Sequence, residues 1–150
     1  MITEYQNEYR EVGTVYYDAV HFIASQFSTP AEIDAWAPLP RVFSQWKVRC
    51  EAKRPFLYKV GQRVGGFLEL DADGHIGAHC SASGHPQTAA PLLDHAIAVA
   101  RATGTVRALF VETDVSLLSL YRKFGFKFVE AAPISLPGHR FAAIRMCKFL

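Results

Sequence analysis

Apolar residues recur along the chain at two different spacings, and the elements follow from where one spacing gives way to the other. Residues 2–5 suit a short opening strand. Tyr9, Val12, Val15, Tyr16, Ala19, Val20, Phe22 and Ile23 then recur at three- and four-residue intervals, which predicts an amphipathic helix. Ser28-Thr29-Pro30-Ala31-Glu32 predicts a second short helix reaching about Ala37, because hydroxyls cap exposed amides and proline is tolerated in a first turn. Two prolines interrupt the segment 38–50, after which Val42, Phe43, Trp46 and Val48 resume helical spacing before the chain turns extended. That segment carries no single assignment.

Residues 55–60 and 64–71, joined at Gly61-Gln62-Arg63, have the composition of two strands and a turn. Asp71-Ala72-Asp73-Gly74 supplies a second tight turn, and residues 75–81 a third strand of the same meander. Over residues 88–103, Leu92, Leu93, Ala96, Ile97 and Ala100 form one apolar face opposite Asp94, His95 and Arg101, and Gly104 suits the cap beyond. Residues 106–113 are continuously apolar, as expected of a strand buried on both faces. A short helix over 115–124 ends at Gly125, and residues 127–131 and 141–149 supply two last strands around a loop at Pro137-Gly138.

With 150 residues, half of them apolar, the chain can bury a core without disulfides or metals, and it reads as one α/β domain over 1–150. Sixteen basic residues against fourteen acidic ones give a charge of +2, too little for a concentrated positive field, so nucleic acid is not an implied partner. No stretch has the roughly 20 apolar residues needed to cross a bilayer. The opening residues also lack a signal-peptide core, so a cytoplasmic protein is expected. Cys50, Cys80 and Cys147 make no ligand spacing and are expected as reduced, packed thiols. His21, His85, His95 and His139 share no ligand spacing either, and no metal is expected.

Three segments then occur in a telling order: Val64-Gly65-Gly66-Phe67-Leu68-Glu69-Leu70 with Asp73-Gly74-His75-Ile76, Phe110-Val111-Glu112-Thr113, and Leu120-Tyr121-Arg122-Lys123-Phe124-Gly125-Phe126. Over nearly its whole length the chain resembles the GNAT superfamily of N-acetyltransferases. The resemblance implies a mixed, largely antiparallel central sheet flanked by helices and splayed between its fourth and fifth strands. It also implies acetyl-CoA as cosubstrate, and as acceptor a primary amine of a small molecule or peptide. A homodimer is compatible with it. Tyr121 matches the tyrosine that in this family lies near the coenzyme A sulfur and protonates the departing thiolate.

The family holds the coenzyme A pyrophosphate on backbone amides at a helix start, where unpaired N–H groups and the helix dipole favour an anion. The corresponding loop here is Gly84-His85-Pro86-Gln87-Thr88-Ala89, and the amides of His85, Gln87, Thr88 and Ala89 are the expected cradle. Gln87 stands where the family has glycine, and Pro91 removes a donor. Ser81, Ala82 and Ser116 complete the expected cofactor contacts. An amide of Cys80 or Ser81 is expected to polarise the thioester carbonyl.

Glu69, His79 and Glu112 are alternative bases for the amine. Alternation in the third meander strand puts His75, Gly77, His79 and Ser81 on one face and Ile76, Ala78 and Cys80 on the other, which would turn His79 toward the cleft. Tyr16, Tyr17, Phe22, Trp36 and Trp46 are candidates for either the acceptor pocket or the core. The altered loop leaves open a second reading, a noncatalytic binding or dimerisation module.

Overall fold

A computed structural model of the chain describes residues 1–24, 43–136, 139–141 and 143–150, with the side chains of 22–24 and 134–141 left aside. The helix expected over 28–37 and Trp36 lie outside the described residues, as does the side chain of Phe22.

Strand β1 (Ile2–Glu4) leads to helix α1 (Tyr9–Ala24), and α2 (Phe43–Lys53) precedes the meander β2 (Phe56–Val60), β3 (Arg63–Leu70) and β4 (His75–Ser81). A 3₁₀ turn (Pro86–Thr88) opens α3 (Ala89–Thr103). Strand β5 (Ala108–Thr113), helix α4 (Leu118–Lys123), β6 (Lys127–Ala131), the hairpin of β7 (Ile134–Leu136) and β8 (His139–Phe141), and β9 (Ile144–Phe149) complete the chain. The seven-stranded sheet runs β1-β2-β3-β4-β5-β9-β6, and β7 and β8 form a separate pair. Every pairing is antiparallel except β4 with β5. This is the mixed, helix-flanked sheet that the resemblance implies.

Each face of the sheet has its own core. Phe67 and Leu68 are neighbours on β3 and both fully buried, yet they belong to different clusters because successive side chains of a strand point to opposite faces. Phe67 joins Tyr5, Val12, Val15, Cys50, Leu57 and Val64 beneath α1 and α2. Leu68 joins Ile76, Leu109, Val111 and Met146 against Leu92, Leu93, Ala96, Ile97 and Ala100 of α3. The apolar stripe of α3 is therefore the face read from its spacing, and Gly104 caps it in the left-handed conformation at φ 64°, donating to Ala100.

Some expectations change. The segment 106–113 is a strand only from Ala108, and it is buried on alternate residues rather than on both faces. Its second face carries Phe110, stacked on the His75 ring 4.9 Å away, and Glu112. Of the strand expected over 141–149, Phe141 belongs to β8 and Ile144–Phe149 form β9, and the helix expected over 115–124 shortens to Leu118–Lys123. No helix among the described residues is long and apolar enough to cross a membrane.

Strand β4 departs from regular pairing on both of its edges. Its partners on β3 run Ser81 to Gly66, Cys80 to Phe67 and His79 to Leu68, then jump to Ile76 opposite Leu70. An extra residue on β4 is thus accommodated at Gly77-Ala78, a bulge that reverses the alternation. Ile76 and His79 consequently share the α3 face, which corrects the expectation that they lie on opposite sides. On its other edge β4 pairs with β5 only through His75–Phe110 and Ile76–Val111, beyond which the two strands part.

Candidate functional site

A cavity of about 620 Å³ occupies the gap between β4 and β5. That is within the roughly 300–1,000 Å³ typical of small-molecule sites. Its walls come from β4 (residues 77–81), the following loop, the end of β5 and α4, together with Tyr16, Asp18, Ala19 and Val20 of α1 and Arg49 of α2. It reaches both layers of helices because the sheet is open where it lies.

On the α3 side the wall holds a hydrogen-bonded pair. The Tyr121 hydroxyl lies 2.7 Å from His79 Nδ1, and His79 Nε2 lies 3.0 Å from the carbonyl oxygen of Ala89. A carbonyl only accepts, so Nε2 carries the imidazole proton and Nδ1 accepts the phenol O–H. Burial pushes the Tyr121 hydroxyl up from its ordinary range, so it stays protonated, and lowers His79 to about 4 although the Ala89 carbonyl opposes this. Tyr121 is fully buried and packs edge-on against Phe126.

The depressed His79 value sets a pH dependence of stability. Unfolded, this imidazole takes a proton near 6.5; folded, it resists until about 4. Its contribution is therefore complete above 6.5 and lost as pH falls through 4, a swing of about 3 kcal/mol. Urea unfolding of the wild type and His79→Asn across that range should show the wild type losing stability more steeply on acidification. Parallel curves would contradict the buried neutral ring.

Of the bases expected from the sequence, His79 has both ring nitrogens engaged and offers no lone pair to an amine. Glu69 is fully buried on the opposite face of the sheet, outside the cavity wall. Arg49 Nε and Nη2 donate to its two oxygens at 2.7 Å each, and the Ala78 amide donates to Oε1 at 2.9 Å. Glu112 does line the cavity. Burial would raise its carboxyl, but His75 Nε2 at 2.6 Å and Arg145 at 3.1 Å hold it below the usual range.

Antiparallel pairing decides which β4 amides face the gap. Ala82 donates to the Gly65 carbonyl at 2.8 Å, so by alternation Cys80 also points at β3 and Ser81 points toward β5. Of the two amides expected to polarise a carbonyl, Ser81 is the one so directed. The Cys80 thiol lines the cavity, and burial pushes it to about 12, which keeps it protonated and weakly nucleophilic.

The loop after β4 differs from the cradle expected. The amide of His85 donates to Ala82, that of Thr88 to His85 and that of Ala89 to Pro86. Gln87 is the one of the four amides with no acceptor among the described residues. Pro86 at the first turn favours this 3₁₀ winding, which sends its neighbours' amides along the turn axis. The turn is anchored by Thr88, whose buried hydroxyl contacts the Gly65 and His85 carbonyls and the Ser81 hydroxyl at 3.0–3.2 Å. Only glycine fits at position 66 beside it, since a Cβ there would run into Thr88 Oγ1.

Cys80, Ser81, Ala82, Gly84, Ala89, Ser116 and Tyr121 all line the cavity, whereas His85, Gln87 and Thr88 do not. Ser116 gives both its amide and its hydroxyl to Asp114 Oδ1. Tyr16 reaches the wall, and Trp46 lies behind it with ring centroids 4.9 Å apart. Arg49, Asp18 and Asp114 also line the cavity, and no motif in the sequence marks them. An isolated Glu69 within an apolar strand is the available signal for Arg49, because a buried carboxylate requires a cation.

No protein-family model matches the sequence, and no curated protein matches it either. Solved structures do. The GCN5-related N-acetyltransferase of Rhodopseudomonas palustris superposes with a TM-score of 0.86 at 18% identity, over 100% of this chain and 95% of that one. PaiA N-acetyltransferase of Thermoplasma acidophilum, solved with coenzyme A, gives 0.75 at 14% identity, over 100% and 99%. YncA of Salmonella typhimurium, solved with acetyl-CoA, gives 0.72 at 15% identity, over 100% and 93%. With this similarity running the length of a mixed sheet that is parallel only at β4 and β5, the chain has the fold of the GNAT N-acetyltransferases.

Proposed function

We propose that the chain transfers an acetyl group from acetyl-CoA to a primary amine of a small molecule or peptide. The observation that carries this reading is the Tyr121 phenol, hydrogen-bonded to His79, on the wall of a cavity that fills the gap between β4 and β5. The residues present fit the thioester arm of the cofactor: Ser81 turns an N–H toward the gap, and Tyr121 supplies an O–H. When bound, acetyl-CoA supplies the activated acyl group.

The amine nitrogen forms a bond to the acyl carbon as the carbon–sulfur bond breaks. Ser81 steadies the negative charge on the acyl oxygen. Tyr121 swings its O–H from His79 Nδ1 to the departing sulfur, and the proton leaving the nitrogen restores the phenol through solvent. Glu112 is the expected base that faces the cavity, and its hydrogen bonds suit it to holding an ammonium more than to taking its proton.

A noncatalytic module is favoured by one specific observation, the internal use of the His85, Thr88 and Ala89 amides. Calorimetric titration with acetyl-CoA and thiol release in the presence of an amine panel separate the two readings. Binding with amine-dependent thiol release is expected. No heat and no release at millimolar acetyl-CoA would leave the noncatalytic module.

A further inference from the structure

The cavity wall on the α1 and α2 side has no role in the proposed thioester cleavage, and it contains a guanidinium with donors to spare among the described residues. Arg49 turns one edge, Nε and one N–H of Nη2, to Glu69. Its plane is fixed by the Trp46 ring, 4.8 Å from the guanidinium carbon, and by Tyr16 at 5.6 Å. The other edge, Nη1 and the outer N–H of Nη2, has no acceptor among the described residues. Arg49 forms part of the cavity wall, and its side chain keeps 38% of its exposure while Glu69 keeps 1%.

That second edge is a rigid, two-pronged donor. Its geometry matches a carboxylate, which can accept two parallel N–H bonds, and a planar guanidinium suits this better than an ammonium would. The same cavity is lined by Asp18, Glu112 and Asp114. Three acids and one guanidinium around one small space suit a molecule carrying both signs of charge. An amine that carries no carboxylate would offer the outer edge of Arg49 no two-oxygen acceptor, at a desolvation cost of the kind that makes such mismatches discriminating.

We infer that the acceptor is a small amino-carboxylate, its carboxylate gripped by Arg49 and its amine directed toward the gap in the sheet. Glu69 is the positioning residue that holds the guanidinium edge-on, and Tyr16 and Trp46 fix its plane. This inference rests on the acetyl-transfer reading, since it names the acceptor of that same site.

The test measures binding without turnover. Thermal unfolding is followed with a millimolar panel of free α-amino acids and with the matching α-carboxamides, in the absence of acetyl-CoA. At least one free acid should stabilise the protein, with affinity at least about tenfold above its carboxamide. Arg49→Lys, which keeps a charge beside Glu69 but loses the planar fork, should erase that preference. The paired variant Arg49→Gln/Glu69→Gln, which leaves no unbalanced buried charge, should erase it too. A panel with no preference for acids, or a preference that survives both variants, overturns the inference. Thiol release from acetyl-CoA is assayed separately, so failure of acetyl transfer with the acid preference intact is told apart from failure of the acceptor assignment.

Discussion

Replacing Tyr121 with phenylalanine is expected to slow acetyl transfer about 100-fold or more, the usual loss when a general acid is removed. On the proposed mechanism the effect should fall on kcat, because the phenol would act on sulfur only as the carbon–sulfur bond breaks, and KM for acetyl-CoA should change little. Phenylalanine keeps the ring that packs against Phe126, so the shape of the wall is retained. It also strips His79 Nδ1 of its hydrogen-bond donor, which costs roughly 1–3 kcal/mol of stability. Steady-state assays well below the unfolding temperature separate the two effects. A variant that retains most of the wild-type kcat would move the proton source away from position 121.

The second large effect concerns stability. Arg49→Ala removes the cation beside a carboxylate that has no exposed surface, and the Ala78 amide alone cannot offset a buried charge. A loss of about 3–5 kcal/mol is expected from urea unfolding, as for other broken buried ion pairs. Adding Glu69→Leu to that variant should recover much of the loss, because the unpaired charge is then gone and an apolar side chain fills its place. If the double variant is no more stable than Arg49→Ala alone, the cost lies in lost packing of the arginine stem against Trp46 and Tyr16 instead.

The parts of this fold that are legible in the sequence are those in which the deciding contact is local. The stripe from Leu92 to Ala100, the left-handed Gly104 and the turn at Asp71–Gly74 are each set by residues within a few positions of one another. The β4 bulge is not legible, because His75 to Ser81 alternates regularly as a string and the extra residue exists only relative to β3. The Arg49–Glu69 pair joins positions 20 residues apart, so only the isolated acid is visible. Tyr121 shows itself through its motif. Its partner His79 reads as a base, since nothing in the string shows that the Ala89 carbonyl and the phenol engage both of its nitrogens. The loop amides read as a cradle for a related reason: that Pro86 starts a turn which uses them internally becomes plain only once the chain is wound.

The backbone ladder joins β4 to β5 at two residue pairs alone, so as a ladder the sheet is nearly two sheets, one of β1 to β4 and one of β5, β9 and β6. A guest lying lengthwise in that slot, as the proposed function requires, would take the place of the rungs the ladder lacks. Occupancy and mechanical cohesion then become one property: the same molecule that is chemically used would also clasp the two leaves together, and its departure would let them breathe.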